Sequence, residues 1–97
     1  MYAVIFRAKV KQLDKEYSET ASRMRELAMS QYGCIEFSAC MEGMNEIAIS
    51  YWPTMEHIAK WNDNPEHKAA QELGKSKWYS SHQVQVTKII REYGKIT

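Results

Sequence analysis

Cysteine, proline and glycine are all sparse in this chain, with two, two and four copies among 97 residues, and each scarcity closes off a class of protein. Cys34 and Cys40 stand six apart in a segment that reads as one strand, which at about 3.3 Å per residue holds them roughly 20 Å apart. A disulfide needs Cα atoms within about 7 Å, so no crosslink is expected. Two such thiols read as small core residues in a reducing compartment. No stretch approaches the roughly 18 apolar residues of a membrane helix. The N-terminal apolar run is cut by Arg7, Lys9 and Lys11 before a signal-peptide core could form, so the expected location is cytoplasmic, with no membrane partner. Neither sign of charge is in excess: 13 Lys and Arg meet 12 Asp and Glu, a net charge of +1, which implies no nucleic-acid partner. The three histidines and two cysteines show none of the paired spacing of zinc sites. A glycine-rich phosphate loop and a nucleophile elbow are also missing. No metal and no cofactor is expected.

The aromatic residues are abundant and unevenly placed. All three tryptophans and two of the three histidines lie between Tyr51 and Tyr79. A strand ends there in Tyr51-Trp52-Pro53, a short helix carries His57 and Trp61, and Asn64-Pro65 opens a second helix that runs to Trp78-Tyr79. Aromatic and imidazole groups gathered on one helical layer beside a strand end supply apolar area with a few orienting polar tips, the make-up of a small-molecule pocket. The same residues would equally serve as the core of a small protein.

Periodicity orders the rest. Tyr2 to Val10 alternates as a strand, and from Asp14 to Gln31 the period becomes helical, with Tyr17, Ala21, Met24 and Ala28 on one stripe. Gly33 stops that helix. A second strand from Cys34 to Glu42 turns at Gly43-Met44-Asn45 into a third, Glu46 to Trp52, forming a hairpin. Thr54 caps one helix, and Asn64 with Pro65 starts another. A last strand runs from His82 to Arg91. The βαββαβ order in one domain, residues 1 to 97, with right-handed crossovers gives an α+β, ferredoxin-like fold: a four-stranded antiparallel sheet with its helices on one face. Neither face of the first three strands reads as polar. One is expected to carry Val4, Phe6, Ile35, Phe37, Ile47 and Ile49, the other Ile5, Cys34, Cys40, Ala48 and Trp52. A sheet wet on one side alternates more cleanly, so a homodimer closed sheet to sheet is expected.

The passage Ser50-Tyr51-Trp52-Pro53-Thr54, then Ile58-Ala59-Lys60-Trp61, Asn64-Pro65-Glu66-His67-Lys68-Ala69-Ala70, Gly74 and Trp78-Tyr79 resembles the antibiotic biosynthesis monooxygenase family of the dimeric α+β barrel superfamily, over nearly the whole chain. The resemblance implies a single monooxygenase-like domain in a homodimeric barrel. Its branches include cofactor-free oxygenases of aromatic quinols, haem-degrading enzymes and members without known activity. It matches Trp61 to the family's pocket tryptophan and His67 to its histidine at the second helix start. Against haem degradation, Ala70-Gln71 stands where that branch has its iron-binding histidine, and Arg7 replaces its first-strand asparagine.

The candidate site follows from both readings. His57 and Trp61, four apart, share one helical face; His67, Gly74 and Trp78 share another. His67 is the candidate catalytic base, and Trp61, Trp78, Tyr51, His57, Gly74 and Arg7 the candidate substrate-binding residues. Gly74 inside a helix costs about 1 kcal/mol relative to Ala, which fits room for a ligand or simply the helix's end. Arg7, in mid-strand, needs a carboxylate such as Glu36 or Glu46, or an anionic ligand. The expected function is a cofactor-independent monooxygenase acting on a small aromatic or quinol-like molecule. The alternative is a non-catalytic small-molecule-binding or stress-related dimer.

Overall fold

The computed structural model describes residues 1–95. Its elements run β1 Tyr2–Val10, α1 Lys15–Gln31, β2 Glu36–Glu42, β3 Asn45–Trp52, α2 Met55–Asp63, α3 Pro65–Leu73, a π-helical turn Gly74–Trp78, and β4 Tyr79–Lys88. The four strands form one antiparallel sheet in the order β2-β3-β1-β4. This is the ferredoxin-like α+β arrangement expected from the element order.

Short polar side chains set the helix starts, because the first N–H groups of a helix have no partner within it. Asp14 Oδ1 accepts from Tyr17 N at 2.7 Å, Thr54 Oγ1 from His57 N at 3.2 Å and Asn64 Oδ1 from His67 N at 2.9 Å. Asn64 holds an extended φ/ψ of −63°/128° between α2 and α3, and Pro65 occupies the first helical turn behind it. The helical layer is thereby bent rather than continuous. The β2–β3 hairpin turns at Gly43, whose φ is +60°, a value that suits glycine.

Two strands depart by more than one residue from the sequence reading. β2 begins at Glu36, so Cys34 and Ile35 belong to the lead-in, where Cys34 is buried under α1 and donates from Sγ to the Glu36 carbonyl at 3.3 Å. β4 starts at Tyr79 and ends at Lys88, three residues earlier than expected at each end, because the π turn releases the chain directly onto the edge of β1.

The larger correction concerns the faces of the sheet. Directly opposed residues of an antiparallel pair share a face, and Ile5 opposes Ile49, Arg7 opposes Ile47, and Val4 opposes Ser50. Ile47 and Ile49 therefore lie with Ile5, Arg7 and Cys40 on the open face, while Ala48 and Trp52 lie with Val4, Phe6 and Phe37 beneath the helices. Alternation within one strand is the same whichever face is in; only the pairing register chooses. The main core gathers at the Trp52 end of β3, where Leu27 and Ala28 of α1 and Trp61 of α2 close on Cys34 and Trp52.

Candidate functional site

Between the sheet and the helices lies a cavity of about 600 Å³, within the range of small-molecule sites. Its floor is the helix-facing side of the sheet, including Phe6, Ala48, Ser50 and Val84. Its roof comes from Tyr17 and Met24 of α1, Trp61 of α2, His67 of α3 and Trp78 of the π turn. Val84 and Val86 line it from β4 yet remain 54% and 45% exposed, so the cavity opens over that edge strand. Arg23 of α1 reaches across to Glu66 of α3 with two hydrogen bonds of 2.8 and 3.0 Å, tying together the two helices above it.

Trp61 and His67 form one unit. The break at Asn64 folds α3 back so that the His67 ring lies on the Trp61 indole, with centroids 4.2 Å apart and planes 14° from parallel. His67 Nδ1 lies 3.0 Å from the Trp61 carbonyl oxygen. A carbonyl only accepts, so Nδ1 carries the proton and the neutral ring keeps its lone pair on Nε2. Burial holds the His67 pKa below its ordinary value, against a smaller opposing effect of the Trp61 carbonyl. A half-buried imidazole in a fixed tautomer with one free basic nitrogen is chemically competent to take a proton.

The opposite end of the cavity holds a group that the sequence reading did not assign to the site. Glu46, on β3 between Ala8 of β1 and Met41 of β2, is only 8% exposed and lines the cavity. The Tyr17 hydroxyl donates to its Oε1. Burial raises the Glu46 pKa, offset in part by the neighbouring Tyr79 hydroxyl. Tyr79 is raised by its own burial and then by the Glu46 charge. Phe6 and Trp78 enclose the cluster, with Phe6 to Tyr79 at 5.3 Å and Tyr17 edge-on to Trp78 at 5.4 Å. The signal available in the sequence was alternation along β3: Glu46, Ala48, Ser50 and Trp52 share a face, so the carboxylate goes to whichever side buries Trp52.

Of the candidate residues, Trp61, Trp78 and His67 line the cavity together, whereas Tyr51, His57, Gly74 and Arg7 do not. Tyr51 opposes Ala3 and Glu36 on the open face of the sheet. His57 is turned back by Thr54, whose Oγ1 is 2.6 Å from its Nδ1, and its ring fills the space beside Gly33. Gly74 seats an aromatic ring: a Cβ there would stand 2.8 Å from Tyr79 Cε2. Arg7 is exposed on the open face, and no ion pair among the described residues includes it. Glu46, its suggested partner, lies on the other side of the sheet because Glu46 opposes Ala8.

Fold and site define a class: a ferredoxin-like α+β protein whose bent helical layer stands off the sheet above an aromatic cavity with a polar group at each end. The chain belongs to the antibiotic biosynthesis monooxygenase family, whose sequence model matches residues 1–73. It is 41% identical over 92 residues to the uncharacterized protein YqjZ of Bacillus subtilis (strain 168), covering 94% of this chain and 81% of that one. SnoaB from Streptomyces nogalater, a cofactor-independent oxygenase crystallised as a point mutant, superposes with a TM-score of 0.81 at 12% identity over 97% of each chain. A putative antibiotic biosynthesis monooxygenase from Nitrosomonas europaea gives 0.78 at 14% identity, over 94% of this chain and 100% of that one. At such identities the structural likeness establishes the shared fold.

Proposed function

We propose that this protein is a cofactor-independent monooxygenase acting on a small aromatic or quinol-like molecule, and that it works as a homodimer. The observation that carries the reading is the Trp61–His67 unit, in which the buried indole holds the imidazole in place with a basic Nε2 at the wall of a largely apolar cavity. A phenol held in the cavity beside His67 would give its proton to Nε2, and the resulting anion is electron-rich enough to reduce dioxygen. One oxygen bonds to the carbon para to the phenolic oxygen. The O–O bond then breaks as that carbon releases its hydrogen as a proton, leaving a quinone and one water. Apolar walls keep water from the anion and the peroxide. SnoaB's description as a cofactor-independent oxygenase is consistent with this chemistry.

The dimer is supported by the open face of the sheet, where Ala3, Ile5, Ile47, Ile49 and Tyr51 form an apolar band, and by the apolar residues that follow β4, with Ile90 91% and Tyr93 85% exposed. Oxygen uptake should be measured with a panel of phenols and quinols. At least one should be oxidised, with incorporation of label from isotopic dioxygen, and His67→Ala should reduce turnover about 100-fold or more, the usual scale of a lost general base. Ligand binding without oxygen uptake from any of them would favour the second reading, a non-catalytic binding dimer. That reading is supported by the packing of Trp61 into the core beside Trp52.

A further inference from the structure

We propose that Tyr17 and Glu46 form a one-electron donor at the cavity wall: Tyr17 reduces a phenoxyl radical stranded in the cavity, and Glu46 takes the hydroxyl proton as the electron leaves. The inference rests on the oxygenase reading for its oxidant. Ground-state dioxygen is a triplet and takes electrons from a closed-shell anion one at a time, so a phenolate first yields a phenoxyl radical and superoxide. When the two recombine, oxygenation proceeds. When superoxide escapes, a reactive radical is left behind. One electron from Tyr17 turns that phenoxyl radical back into the phenolate, while Tyr17 becomes a neutral tyrosyl radical and its proton makes Glu46 a neutral carboxylic acid. A small diffusible reductant such as ascorbate then supplies the electron, and the proton returns from Glu46.

Glu46 and Tyr17 both line the cavity, and the Tyr17 hydroxyl donates to Glu46 Oε1. The Tyr79 hydroxyl lies beside the same carboxylate. No ion pair among the described residues includes Glu46, so two phenols and no cation hold it. A paired cation would make the carboxylate a poorer base; burial, which raises its pKa, makes it a better one. Of the two phenols Tyr17 is the donor, because Tyr79 keeps its proton more tightly through its own burial and then the Glu46 charge. No carboxylate accepts from Tyr2, Tyr32, Tyr51 or Tyr93 in the hydrogen bonds of the described residues. Around Tyr17 stand Trp78 at 5.4 Å and Tyr79 at 6.4 Å between centroids, a shell that keeps water from the radical.

The test is flash oxidation of the protein, its exposed Cys40 alkylated, by tris(bipyridine)ruthenium(III) without dioxygen or phenol, followed by rapid freezing and electron paramagnetic resonance. Wild type should give a neutral tyrosyl radical, most of which Tyr17→Phe removes and Tyr79→Phe retains. Glu46→Gln, of the same shape but a far weaker base, should slow its formation about 100-fold, the scale of a lost general base. If that variant does not fold, slower formation in wild type dissolved in deuterium oxide reads the same proton transfer. A signal of undiminished size in Tyr17→Phe, or formation indifferent to whichever of these two proton probes is read, would overturn the proposal. During turnover of a phenol, Tyr17→Phe should release more biphenol, the coupled product of two escaped phenoxyl radicals; an unchanged yield would also overturn it. A Tyr17 radical without oxygen uptake from any phenol would leave the redox pair standing and sink the oxygenase. Oxygen uptake without the radical would sink the pair alone.

Discussion

Trp61→Ala is the substitution that a pocket tryptophan invites, and the structure predicts that it will unsettle the whole domain. Trp61 is 7% exposed and packs against three rings: Trp52 at 6.2 Å, Tyr32 at 5.3 Å and His67 at 4.2 Å between centroids. Truncating a buried Trp costs about 3–5 kcal/mol, part of it from the void left behind. Here the void opens into an existing cavity instead of remaining sealed, so the lower end applies, about 3 kcal/mol. A domain of this size has about 5–15 kcal/mol in total, and each kcal/mol moves its melting temperature by about 4–8 °C. The expected fall is thus about 12–24 °C, measured by circular dichroism at matched protein concentration, with the urea midpoint as a second reading. A fall of less than about 5 °C would refute the reasoning and make Trp61 a free pocket wall rather than a core residue. Lost turnover in this variant therefore reports on folding as well as binding; His67 is the cleaner probe.

Burial holds the His67 pKa below its unfolded value of 6.5, so between those two values the unfolded chain binds more protons. His67 then contributes stability that is complete above pH 6.5 and lost as pH falls toward the folded pKa. Urea midpoints from pH 5 to 7 should rise more steeply in wild type than in His67→Gln, and parallel curves would contradict the burial. Gly74→Ala should destabilise by about 1–2 kcal/mol despite alanine's better helix propensity, because the new Cβ meets Tyr79 Cε2 at 2.8 Å and that ring is wedged against Phe6. A melting temperature at or above wild type would show that the ring can step aside. The wild-type protein should sediment at twice the mass of one chain, and Ile49→Lys on the open face should halve it. A one-chain mass for wild type at micromolar concentration removes the dimer.

Local chemistry made much of this fold legible. Asp14, Thr54 and Asn64-Pro65 mark helix starts through the unpaired N–H groups they satisfy, and the strands announce themselves by a period of two. His67 was singled out by its match to the family histidine at the second helix start, and the structure places it at the third position of α3 on the cavity wall. What local chemistry could not supply was the register between strands. With both faces apolar, alternation in β3 is equally consistent with Ile47 and Ile49 inside or with Glu46, Ala48 and Ser50 inside. Only the opposition of Ile5 to Ile49 and Ala8 to Glu46 resolves it. That one pairing carried Tyr51 and Arg7 to the open face and brought Glu46 into the cavity, because a sheet's side chains change sides together.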